Sequence, residues 1–67
     1  MPYPMNDSDR AWYEKRIKEF LQMDPAVGIA CAFGTLQGIL FMDHLSDGEK
    51  VERMKFFTEK FQEGVKA

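Results

Sequence analysis

Apolar and polar positions along this chain fall into three regimes. Between residues 8 and 23, Tyr13, Ile17, Phe20 and Leu21 recur three and four residues apart, with charged residues between them. That is the period of a helix with one buried stripe, and it predicts a first helix over residues 8–23. From Pro25 to Met42, eighteen residues pass without an Asp, Glu, Lys or Arg. Gly28, Gly34 and Gly38 would suit two short strands better than a helix. Yet there is no period-two alternation and no hairpin dipeptide, and the length favours a helix, here predicted over residues 25–44. Its wheel is apolar all round. Ile29, Phe33, Leu36 and Leu40 form a large-residue side, and Cys31, Gly34, Thr35 and Gly38 a small-residue side roughly opposite. Periodicity then returns with Val51, Met54, Phe57, Phe61 and Val65, which predict a third, amphipathic helix over residues 47–63.

Local signals place the boundaries. Asn6, Asp7 and Ser8 are each good N-caps, and Asp9 puts negative charge in the first turn of the first helix. Asp24-Pro25 ends that helix and opens the next, with Asp24 as cap and Pro25 at the first helical position. Ser46-Asp47-Gly48-Glu49 matches the S-x-x-E capping box, and Gly64 suits a C-terminal cap. Glu14 with Lys18, and Glu49 with Arg53, are spaced for ion pairs one turn apart. Residues 1–7, with prolines at positions 2 and 4, read as an extended arm ahead of one small helical domain over residues 8–67.

Composition sharpens this picture of three short helices in a small all-α bundle. Sixty-seven residues allow one small domain, which buries only about 60% of its unfolded surface. One cysteine and one histidine exclude an internal disulfide and a Cys/His zinc site. Two outer helices can cover the apolar central helix on two sides only, and soluble monomers rarely leave so large an apolar face in water. The expected remedy is a homodimer through the central helix. Cys31, Gly34, Thr35, Gly38 and Met42 would form its interface, because small residues permit close approach about a two-fold axis. The competing reading is that the glycines only let Phe33 and Phe41 pack within one chain. A single-span membrane protein using residues 25–42 is the alternative architecture. The length is at the short limit, but the stretch is only moderately hydrophobic, and Asp24 and Asp43 lie at its ends without a Lys/Arg cluster. No secretory signal is expected, since the apolar stretch follows a mixed-charge helix; the expected location is cytoplasmic.

Chemistry adds little. The net charge of −2 disfavours nucleic acid, and acids interleave with bases on both outer helices, which makes a poor helix-turn-helix or DNA mimic. His44 lies beside Asp43, near Asp47 and Glu49, without a nucleophile or a full ligand set. Cys31 reads as a small core hydrophobe. No catalytic, cofactor or metal site is expected. Two aromatics miss their stripes: Trp12, beside Arg16, on the first helix, and Phe56, among Glu49, Glu52 and Lys60, on the third. Both read as exposed, and exposed aromatics beside Arg are enriched at binding hot spots. Trp12, Arg16 and Phe56 are therefore the expected partner contacts. Tyr3 in the arm could add another.

The G-T-L-Q-G-I-L run (residues 34–40), followed by H-L-S-D-G-E (residues 44–49), is similar in general look to small accessory proteins of bacteriophages and mobile elements, over roughly residues 26–57. That resemblance implies a protein without chemistry of its own that binds a host protein and modulates it, most simply by inhibition.

Overall fold

Each helix begins where a side chain captures a free backbone N–H. A computed structural model describes residues 5–66, and these form α1 (Asp7–Leu21), α2 (Pro25–Leu40) and α3 (Asp47–Lys66), with no strand among the described residues. The Asn6 side chain accepts from the Asp9 amide at 2.8 Å, and Asp24 accepts from the Ala26 amide at 3.1 Å with Pro25 directly behind it. At α3 the capping box closes in both directions. The Ser46 amide donates to Glu49 Oε1 at 2.9 Å, and the Glu49 amide donates to Ser46 Oγ at 3.2 Å. Those bonds from the Ser46 backbone and side chain hold the Glu49 carboxyl below its usual pKa.

Around these starts the helices pack as an up–down–up bundle. Asp9 meets Arg53 near the start of α1 and α3, and Leu21 meets Gly64 near their ends, so α1 and α3 run parallel. The centre is Phe57, with 1% of its surface exposed. Its ring stands edge-on to Tyr13 and Phe20, at 6.1 and 6.4 Å between centroids, and stacks on Phe61 at 6.2 Å. Such pairs add ~0.5–1.5 kcal/mol each beyond simple burial. Met5, Ile17, Ala32, Ile39 and Leu45 complete the buried apolar set.

One polar link crosses the core's edge. Arg53 donates to Asp9 Oδ2 at 3.2 Å and to the Tyr13 hydroxyl at 3.3 Å. Burial alone would lower the guanidinium's pKa, but Tyr13 and Asp9 more than offset this and raise it. Arg53 is thus engaged with α1 and Glu49 with its own helix start, in place of the expected pair between them.

Several boundaries differ from expectation. Helix α1 stops at Leu21, two residues early, and opens at Asp7. Only residues 5 and 6 of the expected arm are described outside it; Asn6 is the cap and Met5 is buried in the core. Tyr3 lies outside the described residues. Helix α2 ends at Leu40, not 44. The chain turns through residues 41–46 so that Met42 and Leu45 reach the core before Ser46 starts α3. Helix α3 runs through Gly64 to Lys66, and Gly64 is no cap. A Cβ there would strike the Leu21 side chain, so its bareness lets Leu21 lie against α3.

Candidate protein-interaction surface

The turn at residues 22–24 decides how α2 is rotated. With only three residues between α1 and α2, the two backbones must approach closely, and Gly28 sits at that crossing. A Cβ on Gly28 would collide with the Phe20 carbonyl oxygen. Gly28 therefore faces inward, and Ala32, Thr35, Leu36 and Ile39 follow it on the same side at helical spacing. The inward face of α2 is built mainly from small residues.

The large residues consequently face out. Ile29 and Phe33 are each 61% exposed, Leu40 49%, Val27 51% and Phe41 74%. Of the large-residue side read from the sequence, Leu36 is half-buried against the core while Ile29, Phe33 and Leu40 are exposed. The same rotation divides the expected dimer residues. Cys31 and Met42 pack against the core, and Thr35 is half-buried, its hydroxyl donating to the Cys31 carbonyl at 3.0 Å. Gly34 and Gly38 remain outside, and a Cβ added to either would meet nothing within 4 Å among the described residues. These two glycines are not there to seat Phe33 and Phe41 inside the chain, since both rings are in solvent.

Beside the exposed ridge of Ile29, Phe33 and Leu40 runs a groove between α2 and α3. About 420 Å³ of it is bounded by Ala32, Leu36, Phe57, Phe61 and Val65, with Thr58 and Gln62 at the rim. It continues past Phe61 and Val65 into a pocket of about 330 Å³ at the α1–α2 turn, lined by Leu21, Met23, Gly28 and Ile29 among others. No charged side chain lines either part.

A second surface lies on α1. Trp12 is 49% exposed, with the Arg16 guanidinium 5.1 Å above its ring and Tyr13 edge-on at 5.2 Å. Arg16 also pairs with Glu19 at 3.1 Å. Phe56 does not join this surface. It is half-buried against the core, 6.4 Å from Tyr13, with Lys60 above its ring at 5.9 Å. Expecting it to be exposed is corrected: α1 packs along α3 on the side of Arg53 and covers that face too.

Among the described residues, no helix is long and apolar enough to cross a membrane. At 1.5 Å per residue, the sixteen residues of α2 reach about 24 Å, short of a ~30 Å bilayer core. The single-span alternative is thereby corrected, because the uncharged run breaks its helix at Leu40 to form the turn. No group of three or more His, Cys, Asp or Glu residues is placed to hold a metal among the described residues. His44 is exposed in the turn.

The exposed ridge was written in the sequence as apolar but not as external. Gly28 carried the missing signal, since a glycine four residues after a three-residue interhelical turn marks the side that must approach the previous helix. No family model, curated protein or solved structure matches the chain.

Proposed function

We propose that this chain is a small protein-binding module without reaction chemistry of its own, which binds a larger protein and modulates it, most simply by inhibition. One observation carries this reading: four large apolar side chains on α2 (Val27, Ile29, Phe33 and Leu40), and Phe41 at its C-cap, stand at least 49% exposed in a chain of 67 residues. Scattered apolar residues on a surface are ordinary, but a contiguous face on one helix marks a contact surface. Self-association through α2 belongs to the same reading. Trp12 and Arg16 supply a separate contact of the kind that dominates binding energy, an aromatic ring with a stacked guanidinium. A cytoplasmic accessory protein of a phage or mobile element that acts on a host factor fits these features and the resemblance of residues 34–49.

The test is affinity capture from the source cell with the wild-type chain, Trp12→Ala and Phe33→Lys. A saturable protein partner lost by one variant, with native circular dichroism, supports the reading. A wild-type chain that neither captures a protein nor associates with itself refutes it.

A further inference from the structure

We infer that the α2–α3 groove is filled by a second copy of this chain, the Ile29–Phe33–Leu40 ridge of each copy lying in the groove of the other about a two-fold axis. The inference rests on the proposal that the α2 face contacts protein, and it names the occupant. Three features support it.

The first is self-complementarity. A two-fold contact requires one patch to supply both the projection and the recess. Here they lie side by side. The ridge consists of Ile29, Phe33 and Leu40, at i, i+4 and i+11, the spacing by which an apolar helix docks in a groove. The groove beside it is walled by Leu36, Phe61 and Val65. The wall spans about three-quarters of the ridge's length. From Ile29 to Leu40 the ridge rises about 16 Å, and the α3 wall from Phe57 to Val65 rises about 12 Å.

The second is area. At their fractional exposures, Ile29, Phe33, Leu40 and Val65 leave on the order of 450 Å² of apolar side chain in solvent. That alone is more than half of the ~800 Å² per partner of a standard stable interface, and the rest of the groove adds to it.

The third is charge. The ridge helix carries no charged residue and the groove is lined by none. Pairing two copies therefore buries no like charges and leaves no ion unpaired. A lipid surface is less well served, since the acidic Asp24 and Asp43 flank α2 where basic anchors would be needed.

Sedimentation equilibrium over a broad concentration range tests this, with Phe33→Lys, Gln62→Glu and Gly38→Leu. All three positions are exposed, so native circular dichroism is expected and is checked first. The wild-type chain should dimerise, and Phe33→Lys should raise the dimer Kd by about 100-fold or more, because a buried unpaired charge replaces an anchor. Mixing Phe33→Lys with Gln62→Glu should recover association, as lysine from one copy meets glutamate on the other's groove rim. Gly38→Leu should leave the Kd within about 3-fold of wild type, because Gly38 lies on the other side of α2.

A wild-type chain that stays monomeric overturns the inference. If its capture of another protein is lost in Phe33→Lys, the binding-module reading survives that result. Loss of the dimer in Gly38→Leu but not in Phe33→Lys also overturns it and places the crossing on the glycines. Binding to anionic vesicles that Phe33→Lys abolishes, without any dimer, overturns it in favour of a lipid surface.

Discussion

Replacing each of three glycines on α2 by alanine should give opposite results on one helix. At Gly28 the new methyl would collide with the backbone carbonyl of Phe20, an atom that cannot rotate away. Regaining ordinary contact at ~3.5 Å requires α2 to shift by roughly 1 Å from the end of α1. Overpacking of this kind costs about 1–3 kcal/mol. Alanine's better helix propensity returns about 0.5–1 kcal/mol, so Gly28→Ala should lose about 0–2.5 kcal/mol. At Gly34 and Gly38 the methyl enters open space, and the propensity gain stands alone at about 0.5–1 kcal/mol for each. The difference between Gly28→Ala and Gly38→Ala is therefore about 1–3 kcal/mol. A kcal/mol corresponds to a Tm shift of roughly 4–8 °C in a domain of this size. Urea and thermal unfolding followed by circular dichroism resolve that difference. Each is run at two protein concentrations, so that any contribution of association appears as a concentration dependence. If Gly28→Ala stabilises the chain as much as Gly38→Ala does, α1 and α2 do not cross at Gly28. The assignment of inner and outer faces of α2 then fails with it.

Other expectations follow from the polar contacts. Arg53→Met keeps the apolar stem but removes the bonds to Asp9 and Tyr13, and should cost about 1 kcal/mol in urea unfolding, the partly exposed Asp9 keeping the loss modest. A coupling near zero between Arg53→Met and Asp9→Asn in a double-mutant cycle would show that the pair contributes nothing. Ser46→Ala should cost about 1 kcal/mol through the lost α3 cap. Because the Glu49 pKa is depressed in the folded chain, its contribution is complete above the ordinary carboxylate range and is lost as pH falls through the lowered value. Glu49→Gln should flatten that part of the acid unfolding profile, and an unchanged profile would mean that the capping box is not formed in solution.

The helix starts were legible in the sequence because they are local. Asp24-Pro25 and Ser46 with Glu49 satisfy backbone donors two or three residues away, whatever the rest of the chain does. The three helices and their all-α packing were legible for the same reason. Rotation of the helices was not, because it depends on where the neighbours lie. On α3 the apolar positions suggested a stripe reaching Val51 and Val65, yet both are exposed, while Phe56 is half-buried and the Arg53 side chain is only 12% exposed. Two helices contact α3 from different directions, so the covered arc is wide and centred on Phe57. It admits a charged residue when a partner such as Asp9 waits on the next helix. On α2, where every side is apolar, periodicity had no contrast to report, and a close backbone approach at Gly28 chose the inner face. The candidate surface was accordingly visible as a helix in need of cover. Its exposed side was not, and of the two off-stripe aromatics Trp12 is exposed while Phe56 is half-buried.

The parallel course of α1 and α3 has a mechanical consequence. Anything attached ahead of α1 and anything attached behind α3 would emerge at opposite poles, held apart by roughly the 30 Å length of α3. Tension between those attachments would run along two helices lying side by side and not peel them from one end. It would have to slide the Asp9–Arg53 pair, the Tyr13–Phe57–Phe20 rings and the Leu21–Gly64 contact past one another together. Loaded this way the bundle is a short strut in shear, and its resistance is spread over the whole length of the α1–α3 seam.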